Sequence, residues 1–272
     1  MSDILTRVPP AKGERVQYGT HPLQFAELRF PSGKGPFPLL FVIHGGWWLS
    51  AYDLTHIGHF CAKFTSYGIV TCSLEYRRIG DAGGGWPGTF LDVANAIDYF
   101  EARLTSDVRV DIKRAAVIGH SAGGHLALWL GGKHRIPKNS VLYTGQNQRL
   151  IAAISLAGVT NLPIAWELRL GDDAVGKLIG GSPDQYPERY AEASPLELLP
   201  MGLKQVLIHG RADEVVPISQ SKGFAQTAKA AGDEASLVSL DGFGHFELID
   251  PESRAWDAVA HSTLAALEDW VR

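Results

Sequence analysis

Ala115-Ala116-Val117-Ile118-Gly119-His120-Ser121-Ala122-Gly123-Gly124 is the stretch that decides the fold. Its first four residues form a short apolar run of the kind that makes a buried strand. From Gly124 to Leu130 the chain reads as a helix. Between the two stands Gly-x-Ser-x-Gly, a weak pattern by itself in a chain with 30 glycines. Placed between a strand and a helix it gains meaning. It then describes a sharp turn that lifts a serine hydroxyl above a sheet edge, with the helix N-terminus aimed at it. Glycines on either side relieve the crowding.

Similar apolar runs recur on both sides of this segment: Leu39 to Ile43, Ile69 to Leu74, Leu150 to Leu156, Gln205 to Ile208 and Ser236 to Leu240. They are nearly continuous in apolar character, as expected for strands of a parallel sheet covered on both faces. Helical spacing separates them. Val93, Ala94, Ile97 and Phe100 fall on one face between Phe90 and Leu104, Pro217 opens another helix, and a last one runs from about Glu252 to Trp270. Val16 to Tyr18 and Leu23 to Phe30 predict an antiparallel hairpin at the sheet edge. The expectation is an α/β fold, a mostly parallel central sheet of about eight strands flanked by helices, in one domain over residues 1–272. From Gly158 to Gly202 the strand rhythm stops, and short helical pieces such as Val175 to Ile179 predict a small helical cap inserted at about 158–202.

Composition limits the function. Of 272 residues, 45% are hydrophobic and 20% charged, which excludes a disordered, collagen-like or coiled-coil chain. Lys and Arg number 25 against 29 Asp and Glu, a net charge of -4. That balance offers no basic field for a nucleic acid or an anionic membrane. Cys61 and Cys72 are too few for a disulfide framework or a thiolate zinc site, and His56 and His59 lack accompanying carboxylates, so no metal is expected. No apolar run approaches the roughly 18 residues of a membrane span, and Met1 to Arg7 lacks the pattern of a secretory signal. The expected protein is cytoplasmic and soluble.

A serine hydroxyl becomes an effective nucleophile only beside a base. The base is expected after the final strand, where Asp241-Gly242-Phe243-Gly244-His245-Phe246 places His245 on a glycine-flanked loop. The acid that orients it is expected after the preceding strand, in Ile208-His209-Gly210-Arg211-Ala212-Asp213-Glu214. Asp213 is the first choice there and Glu214 the alternative. A buried carboxylate on the imidazole fixes its tautomer and steadies the cation that forms during attack. Ile43-His44-Gly45-Gly46-Trp47-Trp48 follows a strand in the first half of the chain. Backbone N–H groups of this loop, joined by that of Ala122, can be aimed at a developing negative oxygen. Trp48, Trp86, His120, Trp166 and Phe243 are the expected walls of a substrate pocket.

These residues resemble the α/β-hydrolase superfamily, and within it the hormone-sensitive-lipase-like esterases and the kynurenine formamidase (arylformamidase) group. The resemblance spans about Pro38 to His245. It rests on His44-Gly45-Gly46, Glu75-Tyr76-Arg77, Pro87 through Asp92 and Gly119 through Gly123, and on the chain order Ser121, Asp213, His245. Where the esterases carry a third glycine this chain has Trp47, closer to the His-Gly-Gly-Tyr-Trp of the formamidases. Gly80-Asp81-Ala82-Gly83-Gly84-Gly85-Trp86 matches neither group and is either a lip of the site or a surface loop. The resemblance implies a serine carboxylesterase acting through an acyl-enzyme on Ser121 without a cofactor, on a small ester or amide, with Gly45, Gly46, Trp47 and Ala122 as the oxyanion hole. An arylformamidase is the second enzyme reading, and a non-catalytic binding protein of the same fold the third.

Overall fold

The structure, a computed structural model, describes residues 3–145 and 149–268. Eight strands make one sheet: β1 (Glu14–Gln17), β2 (Phe25–Arg29), β3 (Phe37–Ile43), β4 (Val70–Leu74), β5 (Val110–His120), β6 (Leu150–Leu156), β7 (Lys204–Gly210) and β8 (Ala235–Leu240). Their order is β1-β2-β4-β3-β5-β6-β7-β8. The hairpin β1–β2 and the pair β2–β4 are antiparallel, and every other pair is parallel. β5 is longer than the apolar run that announces it. Val110 and Ile112 are buried, but Lys113 and Arg114 between them and the buried run are not, so the strand opens with alternation and becomes wholly buried only from Ala115.

Side-chain alternation divides the core into two layers. In β3, Leu39, Phe41 and Ile43 enter one layer with Phe90 and Phe100 of α2 (Gly88–Leu104), Trp129 of α3 (Ala122–Gly132) and Phe224 of α7 (Ser219–Ala230). Leu40 and Val42 enter the other, with Phe60 and Phe64 of α1 (Gly58–Ser66) and Trp256 of α8 (Trp256–Glu268). A period of two along the strand produces both faces from one apolar run. The Trp256 ring packs on Phe60 and Phe64 with centroids 5.4 and 5.0 Å apart.

Two helix starts differ from expectation for local reasons. α8 begins four residues late because Ser253 N–H donates to Asp250 O and Ser253 Oγ accepts from Ala255 N–H, closing a turn first. The expected end at Trp270 lies outside the described residues. α7 begins at Ser219, with the Pro217 carbonyl accepting from Gln220 N–H in the turn before it. Between 158 and 202 there are three short helices, α4 (Leu162–Glu167), α5 (Ala174–Ile179) and α6 (Pro187–Ala193), and no strand. Among the described residues no helix is long and apolar enough to cross a membrane.

Candidate active site

The loops that follow β3, β5, β7 and β8 all leave the same, carboxyl edge of the parallel sheet, where open α/β sheets bind ligands. Ser121 links β5 to α3 with φ 57° and ψ -120°, a conformation that non-glycine residues adopt only where surrounding packing enforces it. Its flanking glycines are sterically obligatory. A Cβ on Gly119 would stand 2.0 Å from Gly123 O, and one on Gly123 would stand 2.1 Å from Ile43 O. The corner is therefore pressed against the β3 loop. Ala122 is the first residue of α3, so its N–H belongs to the unpaired donors of a helix start.

The β3 loop makes an unusual turn. Gly46 has φ 112°, and Trp47 and Trp48 follow with φ 53° and 56°, closed by Leu49 N–H donating to Gly46 O at 2.9 Å. Two successive left-handed residues are normally Asn or Gly. Here two tryptophans bear a strain of about 1–3 kcal/mol each. The packing holds them. Trp48 is wholly buried with its ring edge-on to His125 at 5.1 Å, and Ile79 N–H donates to Trp48 O at 2.8 Å. Beneath the turn, the buried Glu75 receives His44 Nε2 at 3.1 Å, Arg78 Nη1 at 3.0 Å and the Leu54 N–H at 3.2 Å. Tyr76 stacks on the His44 ring and its hydroxyl donates to His44 O at 2.9 Å. The Glu75-Tyr76-Arg77 segment thus clamps the His44-Gly45-Gly46 loop, while Arg77 turns away to a paired contact with Asp92 at 2.7 Å.

Asp213 Oδ1 accepts the N–H groups of Val215 and Val216 at 2.8 and 2.9 Å, and Oδ2 lies 2.7 Å from His245 Nδ1. Burial pushes the Asp213 carboxyl up, but hydrogen bonds from His209 and His245 outweigh it and hold the group well below the usual carboxylate range. In its neutral form the imidazole of His245 therefore donates Nδ1–H to Asp213 Oδ2 and leaves Nε2 unprotonated. Ser121 and His245 line one cleft. No hydrogen bond joins Ser121 Oγ to a described residue in this structure.

That cleft, about 70 Å³, is lined by Leu5, Gly46, Trp47, Tyr52, His56, His120, Ser121, Val215, His245 and Phe246. Of the expected oxyanion donors, Gly46 and Trp47 line it and Ala122 adjoins Ser121. Gly45 stands behind, its Cα against His120 O and Ser121 Cβ. His120 is a wall of the cleft as expected, its Nε2 3.0 Å from His245 O and its ring on that of His245.

Four expected wall residues belong elsewhere. Trp48 is turned under the loop into the core. Trp86 packs on Phe90, and its N–H donates to Leu178 O. Trp166 lines a different hollow, among Glu167, Arg169, Leu170, Asp173 and Val175. Phe243 packs against the α1/α8 layer. Residues 80 to 86 form no part of the cleft wall. Sequence reasoning did not find Leu5, Tyr52, His56, Val215 or Phe246 as wall residues. His56 and His59 do not converge, since His59 Nε2 faces Val8 O at 2.8 Å while His56 faces the cleft.

Beside His245 the cleft is walled by two further imidazoles, His120 and His56, and burial acts on both. It pushes His120 well below its ordinary value and His56 down to about 4, so neither competes for a proton at neutral pH. His125, in the core with Nδ1 unpartnered, is likewise pushed down to about 4 by burial. His56 and His125 take up their protons near the ordinary 6.5 in the unfolded chain and only near 4 in the fold. Their contribution to stability is complete above about pH 6.5 and is lost as pH falls toward 4. The thermal midpoint should fall steadily across that window, and less steeply in His125→Leu; scanning calorimetry showing a flat midpoint would contradict the assignment.

The model of the BD-FAE family matches residues 28–227. The chain belongs to the BD-FAE family. This BD-FAE chain is 27% identical to Esterase LipC of Mycobacterium tuberculosis, over 90% of this chain and 64% of the relative. It is 24% identical to the probable carboxylic ester hydrolase LipM of the same organism, over 83% of this chain and 53% of LipM. The chain thus spans between half and two thirds of the length of these curated relatives. Among solved structures, a truncated carbohydrate esterase from gut microbiota superposes with TM-score 0.78 at 19% identity, covering 96% of this chain and 97% of that one. Native esterase Est2 of Thermogutta terrifontis does so with TM-score 0.71 at 22% identity, covering 95% and 92%. These likenesses establish the α/β-hydrolase fold.

Proposed function

We propose that the protein is a serine carboxylesterase that cleaves small acyl or aryl esters through an acyl-enzyme. The observation that carries this reading is the convergence of Ser121, on its strained strand–helix corner, with His245 in one small cleft, where Asp213 Oδ2 holds His245 Nδ1 at 2.7 Å. Its relatives named as esterases support it. Ser121 Oγ attacks the carbonyl carbon while His245 Nε2 takes its proton. The carbonyl oxygen becomes an oxyanion facing the N–H groups of Gly46, Trp47 and Ala122. On collapse, His245 returns the proton to the leaving alcohol. Water then attacks the acyl-enzyme by the same route, releasing the acid and restoring Ser121. Each step uses side chains and backbone N–H groups of this chain, with water as the second nucleophile.

The cleft of about 70 Å³ is far below the 300–1,000 Å³ of drug-sized ligand sites, so a short acyl group suits it. Trp47 and Leu5 wall it, and the Trp47 ring packs against Gly171 of the 158–202 segment, which in this reading caps that side of the site. Replacing Trp47 by Gly keeps the backbone donor and relieves its positive φ. The ratio of kcat/KM for p-nitrophenyl hexanoate to that for the acetate should rise about 10-fold or more, as one to several methylenes gain room. Leu5→Ala should move the ratio the same way by less. An unchanged ratio in both variants would show that the acyl group lies elsewhere.

The same narrow wall favours one second reading, cleavage of N-formyl aromatic amines, because a formyl group is the smallest acyl unit. Comparing kcat/KM on p-nitrophenyl acetate and N-formylkynurenine tests the first reading directly. A formamide rate far above the ester rate would replace carboxylesterase by arylformamidase.

A further inference from the structure

Asp213 is held by a second imidazole. His209, the penultimate residue of β7, is fully buried, and its Nε2 lies 3.3 Å from Asp213 Oδ2 and 2.9 Å from Val216 O. Both neighbours are oxygens that can only accept, so Nε2 carries the proton and is shared between them. Its other nitrogen, Nδ1, lies 2.8 Å from the hydroxyl of Ser221, a fully buried residue in the first turn of α7. In the neutral ring that hydroxyl donates to Nδ1, which fixes the tautomer. One buried chain of contacts therefore runs from Ser221 through His209 to Asp213 and on to His245. Asp213 Oδ2 is the atom that both imidazoles share.

We propose that His209 is a positioning residue of this site, presenting Asp213 Oδ2 to His245 and drawing off part of its negative charge, which sets where the acid limb of the reaction falls. This rests on the reading of Ser121, His245 and Asp213 as nucleophile, base and acid. The carboxylate stabilises the imidazolium that forms on His245 during attack, and also the imidazolium that forms unproductively in acid. A donor placed on the same oxygen weakens both effects. The His209 N–H thus trades some charge stabilisation for a base that stays free at lower pH. The fixed geometry serves the same end, because the Val216 carbonyl and the Val215 and Val216 amides hold the acid loop from the two remaining sides.

Other titratable groups near the pair are few. On β5, the His120 ring lies 4.4 Å from that of His245, and His56, on the turn Leu54–Ile57, lines the same cleft. The loops themselves carry Glu214, Glu247 and the exposed ion pair Arg211–Asp241. Among the described residues none of these is hydrogen-bonded or ion-paired to Asp213 Oδ2, whereas His209 lies 3.3 Å from it.

The test is the pH profile of kcat/KM for p-nitrophenyl acetate in three forms of the full chain. In His209→Phe the acid limb should move up by about one pH unit, the size of shift a lost hydrogen bond to a carboxylate produces. In His209→Gln, whose amide N–H reaches the Nε2 position, the limb should return toward that of the parent. KM should change little in either. A folded His209→Phe, by circular dichroism, with an unmoved acid limb would overturn the proposal. Should the variant not fold, 15N NMR of the parent decides. Protonated Nε2 and acceptor Nδ1 on His209 are expected, and a proton on Nδ1 with a bare Nε2 would overturn it. Ser121→Ala separates the two levels: full ester turnover in that variant defeats the underlying reading, while its loss with an unmoved His209→Phe limb defeats this inference alone.

Discussion

Ser121→Ala should lower kcat/KM on a short p-nitrophenyl ester by about 10⁴-fold or more while leaving the thermal midpoint almost unchanged. The side chain that is removed is a single hydroxyl group at the cleft surface, and nothing in the fold leans on it. Ser121 Oγ has no hydrogen bond to a described residue, so alanine leaves no partner unsatisfied. What carries the corner is the backbone: glycines 119 and 123 pack against carbonyl oxygens, and the Ser121 N–H donates to Leu156 O at 2.8 Å. Those contacts survive the substitution. A residual rate over water is expected, because the N–H groups near Gly46 and Ala122 still face a bound carbonyl. Initial rates together with a calorimetric melt check both halves of the expectation, and a loss of less than tenfold would move the nucleophile away from Ser121.

Asp213→Asn should lower kcat by up to about 10⁴-fold, the magnitude that the equivalent change costs in serine proteases, with KM little altered. The reasoning is geometric. Asp213 Oδ1 takes two backbone N–H groups, so an asparagine directs its carbonyl oxygen there and its NH2 toward His245 Nδ1. That amide is a donor, and it forces the proton of a neutral His245 onto Nε2, the position that must be bare to receive the serine proton. The same NH2 also meets the His209 Nε2–H, placing two donors face to face. A further loss in stability is therefore expected, and a melt lowered by several degrees would accompany the lost turnover. Near-full activity in Asp213→Asn would pass the acid role to another carboxylate, with Glu214→Gln as the next variant to measure.

The parts of this arrangement that are legible in sequence are those imposed by local sterics. Gly119 and Gly123 announce the corner because no side chain fits against Gly123 O and Ile43 O, a demand that acts within a few residues. The apolar runs announce the sheet because both of its faces are covered, whereas the first half of β5, where burial alternates, carries no such run. Asp213 over Glu214 follows from a tight turn in which one of two adjacent carboxylates meets the amides of Val215 and Val216. The pocket walls were less legible because a residue's type does not state where its ring points. Trp47 and Trp48 are adjacent and chemically identical, yet the turn sends one into the cleft and the other beneath it. Leu5 reaches the cleft from the far end of the chain: Arg7 anchors its turn by a bidentate contact with Asp250 at 2.8 and 3.0 Å, and Ile4 is buried in the α1/α8 layer. No pattern in the sequence marks that contact. His209 reads in sequence only as the end of a strand, and its partnership with Asp213 depends on the loop curling back by one turn.

The placement of two strained tryptophans in the turn after β3, the proposed oxyanion turn, has a physical logic of its own. A backbone donor is useful only if it stays aimed, and left-handed residues tend to relax. The web of Glu75, His44, Arg78 and Tyr76 below, the Trp48 ring in the core and the Ile79 N–H above remove the room for relaxation. Fixed dipoles of this kind need no reorganisation as charge develops on the carbonyl oxygen.

Intact-mass spectrometry after treatment with a fluorophosphonate, followed by peptide mapping, interrogates the nucleophile without any assumption about the natural substrate. One phosphonyl group per chain on Ser121, with labelling greatly slowed in His245→Ala, is the predicted result. A protein that stays unlabelled under conditions that saturate known serine hydrolases, or that carries the group on a different residue, would contradict the account.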